Sequence, residues 1–330
     1  MKDYKKTKLY QEEYSQIVYQ LCKNDVLKQE AEIVADCFAT ADVFGVTTHG
    51  ISILPSHLER LARGGYNLSP KLTVIKETAA FAVIDGDNAF GPVSARFCLD
   101  YGIEKCKQSG MFTVFGRNNN TFGPAFYYSL KAAEEGCIAF VTSNSPAQMA
   151  PFGGSEKMLG TNPFSAVIPV PDGDPIIIDF ATSVVAKSKF KEYQQKGLKL
   201  PDGWALDESG NPTNDPEEGM KGFILPMAGF KGYGIAMLID IVAGLLSGSA
   251  YLNQVGRFYS NDTKSMNVGF CISVMDPQQI FGEDYSNAIQ QYVAEVRGCK
   301  KAEGKDIVLP GDDRITYKNF LVESQKDDRK

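Results

Sequence analysis

Apolar side chains in the first third of the chain recur at the spacing of a helix. Between residues 10 and 45 they return every three or four positions, as at Ala31, Val34, Ala35, Phe38 and Ala41. This spacing puts them on one face of a helix, so two helices are predicted in this stretch. Asn24 or Asp25 is suited to cap the second helix, and Gly45 is suited to end it. A third helix is predicted over residues 51–61.

From residue 73 onward, short apolar runs alternate with amphipathic stretches. Runs rich in Val, Ile and Phe predict two strands within residues 73–85 and further strands at 112–115, 138–142, 165–170, 176–180 and 268–274. Helices are predicted at residues 93–108, 124–135, 184–196, 229–246 and 284–297. This alternation favours an α/β or α+β sheet layer.

The most polar and the most apolar segments give further predictions. Residues 1–8 and 324–330 are polar and charged, which predicts frayed termini, and residues 201–219 form a polar excursion rich in turn residues. No apolar stretch follows the charged start, so no signal peptide is expected. Residues 235–246 are the most apolar stretch. They are too few to cross a bilayer and include Asp240, so a buried helix is predicted.

Charge and composition exclude several classes of function. The chain has 330 residues and a net charge of −6, with its Lys and Arg scattered among acids, so no nucleic-acid-binding face is expected. Its seven cysteines include no Cys-x-x-Cys pair and are predicted to be small buried residues of a reducing, cytoplasmic compartment. With two histidines and no ligand-spaced cluster, no metal site is expected.

The segment Thr47-Thr48-His49-Gly50 is a candidate for proton transfer. An imidazole titrates near neutral pH, and a glycine beside it allows the backbone to approach a ligand closely. The alternative is a surface or capping histidine. Because a single residue is a weak signal, the sequence of this segment alone favours that alternative.

Three Gly- or Asn-rich segments are candidates for ligand binding. Residues 117–123 follow a strand and precede a helix, at the end of a sheet where ligands bind; their three Asn also suit a plain turn. Residues 229–234 open a helix and include Lys231, which suits an anion such as phosphate; glycines there also suit tight packing. The turns at 151–163 are equally suited to a cofactor or to a structural loop.

A series of motifs runs in order along nearly the whole chain: Asp42-x-x-Gly45-x-x-x-His49-Gly50, residues 85–91, residues 117–123, Asn144-Ser145-Pro146, Gly160-Thr161-Asn162-Pro163, residues 179–183, Gly203-Trp204-Ala205, residues 210–213, residues 231–234 and Leu309-Pro310-Gly311. As an ordered set they resemble the type-2 malate/L-lactate dehydrogenase family. That family includes ureidoglycolate, sulfolactate and 2,3-diketogulonate oxidoreductases and piperideine-2-carboxylate reductases.

The resemblance implies a mixed α/β fold that is not a Rossmann fold. It implies a mixed central sheet that binds a nicotinamide dinucleotide, NAD or NADP, and a helical domain built from discontinuous segments. The expected regions are an N-terminal helical part (1–70), a dinucleotide-binding central sheet (71–183), a helical return with a Gly-rich cofactor loop (184–250) and a C-terminal strand and helix that complete the core (251–330). The expected partners are a small-molecule substrate and a second copy in a homodimer or larger assembly, with no nucleic acid and no membrane.

By the same resemblance, the cofactor is expected to contact eight residues: Ser145, Asp179, Phe180, Ala181, Lys231, Pro310, Gly311 and Asp312. The residue types alone agree for Lys231, because a cation at a helix start favours phosphate.

The resemblance also implies a catalytic role for His49. In some members the matching His protonates the carbonyl oxygen as hydride arrives, and an alkoxide forming at neutral pH needs such a group. Thr48 stands where the family has Ser and keeps a hydroxyl. Asp179 matches a carboxylate proposed in some members to couple to this His.

Three positions depart from the family pattern. Ile53 stands where an Arg usually grips the substrate carboxylate, His57 where a Tyr is usual, and Thr121 where some members have a second acid/base His. Ile cannot replace a bidentate charged clamp. Candidate replacements for the lost charge are Arg117, Arg60, Arg63 and a protonated His57. Alternatively, the substrate is less acidic, bulkier or more apolar at that end.

Two functional hypotheses remain open. The first is an NAD(P)-dependent oxidoreductase for a 2-oxo/2-hydroxy acid or related imino acid, with altered specificity, in which His49 donates the proton while Thr121 and Asn120 orient the substrate. The second is a catalytically impaired relative that binds a dinucleotide or another ligand.

Overall fold

The computed structural model describes residues 2–259 and 264–327. The helices are α1 (Lys8–Cys22), α2 (Lys28–Val43), α3 (Leu54–Ala62), α4 (Gly91–Ser109), α5 (Ala125–Glu134), α6 (Ser188–Gln195), α7 (Pro216–Lys221), α8 (Phe230–Ile239), α9 (Pro277–Phe281), α10 (Tyr285–Gly298) and α11 (Asp312–Asp327). The strands are β1 (Thr73–Glu77), β2 (Phe81–Asp85), β3 (Met111–Asn119), β4 (Ile138–Ser143), β5 (Phe164–Ile168), β6 (Ile176–Phe180), β7 (Ala205–Leu206), β8 (Pro212–Thr213), β9 (Phe223–Ile224) and β10 (Val268–Met275).

A seven-stranded sheet with the order β1-β2-β3-β10-β4-β5-β6 forms the centre of the fold. Its neighbouring strands pair antiparallel except β2 and β3, which are parallel. The prediction of a mixed sheet is therefore confirmed. β10, from the last quarter of the chain, lies between β3 and β4 and completes the middle of the sheet.

Helices from the first half of the chain cover this sheet. α4 packs on β3 and β10, α5 packs on β4 and β5, and α2 lies against both helices. The α4 residue Gly102 allows the close approach, because a Cβ there would lie 3.2 Å from Val274 and 3.3 Å from Val114. Most side chains of α2 are buried, so this helix is a central part of the core rather than an amphipathic surface helix.

The turn between α1 and α2 differs from the prediction. α2 begins after Leu27, whose side chain makes no capping bond, so the prediction of Asn24 or Asp25 as its cap was wrong. Asp25 instead takes a positive φ of 63° in the turn between the two helices. Gly45 ends α2 as predicted, with a positive φ of 74°.

The segment 201–219, predicted as a polar excursion, contains regular structure. β7, β8 and β9 form a small second sheet in the order β8-β7-β9. It packs with α6 and α7 around Phe190 and the half-buried Trp204. Strands of two residues are too short to show an alternating pattern, so periodicity alone did not reveal them.

The prediction of frayed termini was wrong for most of both ends. Residues Lys2–Lys6 form a 3-10 turn in which Tyr4 is fully buried. The Tyr4 hydroxyl donates to Glu134 at 3.0 Å. At the other end, α11 continues to Asp327. At the N-terminal end, the buried partner of Tyr4, rather than local polarity, accounts for this order. For Met1 and residues 328–330 the prediction lies outside the described residues.

The apolar segment around α8 is only partly buried. α8 continues into a π-helical turn, Asp240–Leu245. Gly232, Ala236 and Ile239 are buried, but Phe230 is 65% exposed, Leu238 60% and Leu246 57%. The prediction of a buried helix was therefore wrong for one face, which is left open to solvent in the single chain.

Five of the seven cysteines are buried, in line with the prediction of small core residues, whereas Cys22 and Cys299 are exposed. All seven are free thiols. Within residues 2–259 and 264–327, none of the helices has the length and apolarity needed to cross a membrane.

A buried ionic cluster ties the N-terminal turn to α5. Lys131 lies 3.1 Å from Asp36, 3.4 Å from Glu134 and 2.9 Å from the hydroxyl of Tyr4. Burial alone would raise the pKa of Asp36, but Lys131, Lys5 and the hydroxyl of Tyr10 hold it below its usual range. Asp36 is therefore ionised when the protein is folded at neutral pH.

We predict that Lys131→Met destabilises the fold by about 3 kcal/mol, because it removes the buried cation that pairs with both Asp36 and Glu134. The free energy of unfolding from urea titration measures this effect. Lys107→Met, at an exposed position, is the control and should change stability by less than about 0.5 kcal/mol. An equal, small change in both variants would contradict the prediction.

Candidate active site

His49 lies on a short 3-10 turn, Thr47–His49, that is held from behind by α2. The carboxylate of Asp42 accepts a hydrogen bond from the amide of Ile51 at 2.6 Å. Gly50 makes this contact possible, because a Cβ there would lie 1.8 Å from Asp42 Oδ2. The contact between Asp42 and Ile51 therefore braces the turn that carries His49, and the spacing of Asp42, His49 and Gly50 in the sequence makes this contact possible.

A second carboxyl group, that of Glu13, interacts with Asp42. Burial, together with the negative charge of Asp42, raises the pKa of Glu13 to about 8. Burial also raises the pKa of Asp42, against the hydrogen bond from the Ile51 amide. The pair therefore holds a proton at neutral pH, since two adjacent carboxylates cannot both ionise without a large cost.

The imidazole of His49 is neutral at pH 7. Burial lowers its pKa below the usual value, and the negative charge of Asp179 partly opposes that shift. Its Nδ1 lies 3.0 Å from the hydroxyl of Thr48, which leaves Nε2 for a further partner. Asp179 itself accepts a hydrogen bond from Arg314 of α11 at 2.7 Å, so its carboxylate is held in place.

His49 lines a cavity of about 1150 Å³, which exceeds the usual size of a pocket for one small ligand. Of the other predicted residues, Thr48, Ile53, Thr121, Ser145 and Ala181 also line it. Ile53 and His49 come from neighbouring 3-10 turns, so the apolar side chain stands in the same wall as the candidate proton carrier. The hydroxyl of Thr121 lies 3.3 Å from the sulfur of Met266.

Asn120 lies outside the cavity wall, contrary to its expected role in orienting the substrate. It is fully buried, and its amide donates to backbone and side-chain oxygens of Asn88 and to the carbonyl of Ala89. Its Oδ1 accepts two hydrogen bonds from Arg60. β3 ends at Asn119. Much of the Asn-rich segment therefore belongs to this strand, and Asn120 links it to neighbouring core segments.

The proposed replacement cations also lie elsewhere. Arg117 binds Asp85 at 3.0 Å, Arg63 lies 3.8 Å from Glu59, and Arg60 donates to Asn120 and to the carbonyl of Lys264. None of the three is among the described residues that line the cavity. The charge lost at Ile53 is therefore not restored by these side chains.

His57 is a core residue rather than a substrate contact. It is 1% exposed, its Nδ1 lies 2.7 Å from the hydroxyl of Tyr66, and its ring packs on Phe38 and Phe258. Burial, with a smaller effect of Arg60, lowers its pKa to about 3. His57 is therefore uncharged at neutral pH and cannot act as the substitute cation.

Several of the expected cofactor segments lie along β6. Asp179 and Phe180 end this strand, and the carbonyl of Pro310 accepts the amide of Ile177 at 2.9 Å. The amide of Met227 donates to the carbonyl of Thr182 at 2.9 Å, which brings the start of α8 close to the same strand. That helix start carries Lys231, which is exposed.

Gly311 and Asp312 follow Pro310 in the turn that precedes α11. Gly311 has a positive φ of 91° and packs on Ile177, where a Cβ would lie at 2.5 Å. Asp312 binds Arg297 at 2.6 Å. The turn is thus held rigidly beside β6.

Ser145 lines the cavity. Its amide donates to Asn162 Oδ1 at 3.1 Å, while its buried hydroxyl has no hydrogen-bond partner among the described residues. Gln148 Oε1, in the same wall, is also buried without a partner. Polar atoms of this kind normally meet a ligand or water, so they mark a place where a ligand donates or accepts hydrogen bonds.

Four basic residues in the cavity wall escaped prediction: Lys157, Lys187, Lys191 and Arg257. They come from separate loops and from the start of α6, and nothing in the local sequence marks them. Only the fold gathers them into one wall.

The family model for malate/L-lactate dehydrogenase matches residues 10–320. Malate dehydrogenase of Pyrococcus horikoshii is 38% identical over 297 residues, which cover 87% of this chain and 81% of that protein. The chain belongs to the malate/L-lactate dehydrogenase family. The solved structure of sulfolactate dehydrogenase from Methanocaldococcus jannaschii matches with a TM-score of 0.88 and 34% identity, covering 94% of this chain and 90% of that one. Ureidoglycolate dehydrogenase (NAD(+)) of Escherichia coli O157:H7 is 30% identical over 306 residues, covering 92% and 87%.

These matches confirm the expected family and its fold. Curated members of the malate/L-lactate dehydrogenase family are named dehydrogenases of hydroxy acids, so the chain is an oxidoreductase acting on CH–OH groups. The members differ in the acid that they are named for.

We predict that the two histidines titrate separately in an NMR pH series. His57 should stay neutral down to a pH of about 3, and His49 should titrate below its usual value, because burial disfavours both charged forms. Since the unfolded chain protonates first, stability is full above the unfolded histidine pKa and falls as the pH drops. His57→Phe identifies the signals. A His57 signal that titrates above pH 6 would contradict the assignment.

Proposed function

We propose that this chain is a nicotinamide-dependent dehydrogenase of 2-hydroxy acids, or of closely related imino acids, in which His49 carries the proton. The observation that supports the proposal is a neutral imidazole, braced from behind by Asp42 and facing a cavity of about 1150 Å³. A neutral imidazole at working pH is suited to accept a proton from a hydroxyl group.

The residues of the cavity fit a dinucleotide. The unpaired hydroxyl of Ser145 and the unpaired Oε1 of Gln148 supply hydrogen-bonding partners in the wall. Ala181 also lines the cavity. Outside the described cavity wall, Asp179, Phe180, Pro310, Gly311 and Asp312 lie on or beside β6, and Lys231 lies at the start of α8. These are the residues proposed to hold the cofactor, NAD or NADP. When bound, the nicotinamide ring accepts or supplies the hydride.

Proton movement is proposed to run through His49. In oxidation, the C–H bond of the 2-hydroxy acid breaks with loss of hydride, the carbonyl double bond forms, and the hydroxyl proton moves to Nε2. In reduction the proton returns from Nε2 to the new hydroxyl. Asp179 stabilises the charged imidazolium through its negative charge, and Thr48 holds Nδ1 and so fixes the orientation of the ring.

The substrate end near Ile53 is proposed to have altered specificity. Ser52, Ser56 and Thr121 line the cavity beside Ile53 and offer hydroxyl groups where the family pattern has a guanidinium. Hydroxyls donate single, uncharged hydrogen bonds to a carboxylate, which are weaker than a bidentate charged pair. A catalytically impaired relative that only binds a dinucleotide is the second candidate, supported by Ile53 and Thr121.

We predict that His49→Gln lowers kcat by about 100-fold or more, because general acid–base catalysis contributes roughly that much. The assay follows nicotinamide absorbance with both cofactors and a panel of 2-hydroxy acids, 2-oxo acids and cyclic imino acids. Reduced-cofactor binding, measured by fluorescence, should stay unchanged.

The matched control for this variant is Thr47→Ala, an exposed position on the same turn. Full turnover by His49→Gln would remove His49 from the mechanism. No turnover by the unaltered protein across the panel, with cofactor bound, would favour the second candidate.

We also infer a homodimer or larger assembly, formed through the open face of α8 and the π-helical turn. Seven large apolar side chains of this segment are exposed: Phe230, Ile235, Met237, Leu238, Ile241, Leu245 and Leu246. Soluble chains rarely leave a contiguous apolar patch of this kind to water, and such patches mark interfaces.

Light scattering should therefore show at least a dimer at micromolar concentration, and Leu238→Glu should shift the mass towards the monomer, because a buried charge opposes association. Leu198→Glu, at another exposed apolar position, should leave the mass unchanged. A monomeric unaltered protein would refute this inference. The expected cytoplasmic location stays a prediction, which cell fractionation would test.

A further inference from the structure

We propose that Arg314, on α11, is a positioning residue for proton transfer: it holds the carboxylate of Asp179 beside the turn that carries His49 and offsets part of its negative charge. Arg314 lies outside the described cavity wall, so it acts on the reaction through Asp179 and not through contact with a ligand. This inference rests on the proposed function, in which His49 carries the proton.

The ion pair between Arg314 and Asp179 is the first observation. Nη2 of Arg314 donates to Asp179 Oδ2 at 2.7 Å, and the two side chains are mostly buried, with 21% and 15% of their surfaces exposed. The guanidinium also lies over the ring of Phe126, 5.2 Å from its centre. Its Nη1 is buried without a hydrogen-bond partner among the described residues. The carboxylate is therefore held through a single guanidinium nitrogen, by a charge-assisted hydrogen bond.

The second observation is that α11 packs on the loop that follows α2. Tyr317 lies one turn after Arg314, and a Cβ at Gly45 would lie 3.6 Å from its ring. Phe126, which lies under the guanidinium, has its ring centre 5.7 Å from that of Phe44. Phe44 and Gly45 begin the loop that leads to the candidate proton carrier. Arg314 is therefore packed between this loop and the helix α5.

The third observation places Asp179 on the same side of the sheet as this loop. Ile177 and Asp179 are two positions apart on β6, so their side chains point to the same face. Ile177 is buried in one apolar cluster with Ile315 of α11, and Val46 packs against that cluster. The amide of His49 donates to the carbonyl of Val46 at 2.9 Å. The face of β6 that carries Asp179 thus meets the start of the His49 turn.

The electrostatic effect of the pair follows from its charges. Burial lowers the pKa of His49, and the negative charge of Asp179 partly opposes that shift. Because Arg314 offsets the charge of Asp179, it weakens this opposition and favours the neutral imidazole that accepts a proton. The other charged groups around the turn, the cavity and α11 are Asp42 with Glu13, Lys157, Lys187, Lys191, Arg257, Asp312 with Arg297, Asp313, and Lys318 with Asp174.

The experiment is an NMR pH titration of His49 in the whole chain, without substrate. The chain has two histidines, and His57→Phe assigns their signals. We expect Arg314→Gln to raise the pKa of His49 by about half a pH unit, which is about a threefold gain in proton affinity, because the unpaired carboxylate favours the imidazolium.

Two further variants separate this role from a general loss of charge. Arg314→Lys should keep the pKa of His49 within about 0.2 pH units, because the pair needs one cationic nitrogen and Lys supplies one. Lys318→Gln is the matched control, since it removes the same charge from the next turn of α11, where Lys318 lies 3.8 Å from Asp174. It should also leave the titration unchanged.

A variant of Asp179 tests whether Arg314 acts through this carboxylate. Asp179→Asn should lower the pKa of His49, because it removes the negative charge that opposes burial. Adding Arg314→Gln to Asp179→Asn should then change the pKa by less than about 0.2 pH units, since coupled residues are not additive. A full rise in the double variant would overturn the proposed route through Asp179.

An unchanged His49 titration in folded Arg314→Gln would overturn the positioning role, and so would an equal rise in Lys318→Gln. Thermal unfolding checks that each variant is folded. If Arg314→Gln does not fold, an unchanged titration in Asp179→Asn would overturn the proposal instead. With a substrate from the panel, the acidic limb of the kcat/KM profile should move with the NMR value. An NMR shift with an unmoved profile would support the role of Arg314 and count against His49 as the proton carrier.

Discussion

The hydrogen bond from the Ile51 amide to the buried carboxylate of Asp42 is the contact on which the candidate site depends. It joins α2, one of the most buried helices, to the turn that carries His49. Gly50 is required because any side chain there would collide with the carboxylate. The position of the His49 turn is therefore tied to the protein core through one short contact with α2.

The cavity in front of this turn has a charge opposite to that of the molecule. Acidic residues outnumber basic ones in the chain as a whole, while the described wall of the cavity has basic residues alone among its charged side chains. An acidic exterior with a basic cavity favours anions inside while keeping the surface soluble. Burial lowers the pKa values of Lys157 and Lys187 first, and the positive charge of the neighbouring cations lowers them further.

Buried polar groups and exposed apolar groups have related explanations in this fold. Lys131, Asp36 and Glu134 are tolerated inside because each is paired, and their pairing also holds the N-terminal turn. The open face of α8 is apolar although it is exposed. Whether a side chain is buried or exposed therefore depends on its partner. The ionic cluster has its partners within the chain, whereas the partner of the α8 face is proposed to be a second copy.

The sequence by itself determined most helices, the strands of the main sheet and the family, because helical and alternating patterns are local and the motifs occur in order. It also indicated that His49 and Ile53 are neighbours, since they are four positions apart in the chain. Tertiary structure alone decided which polar residues face the cavity. The sequence suggested site roles for Asn120, Arg117 and His57, but these side chains bind partners in the core or on a neighbouring strand. By contrast, nothing in the local sequence marks Lys157, Lys187 and Arg257, which line the cavity. Such roles depend on contacts between segments far apart in the chain, and local sequence does not encode those distances.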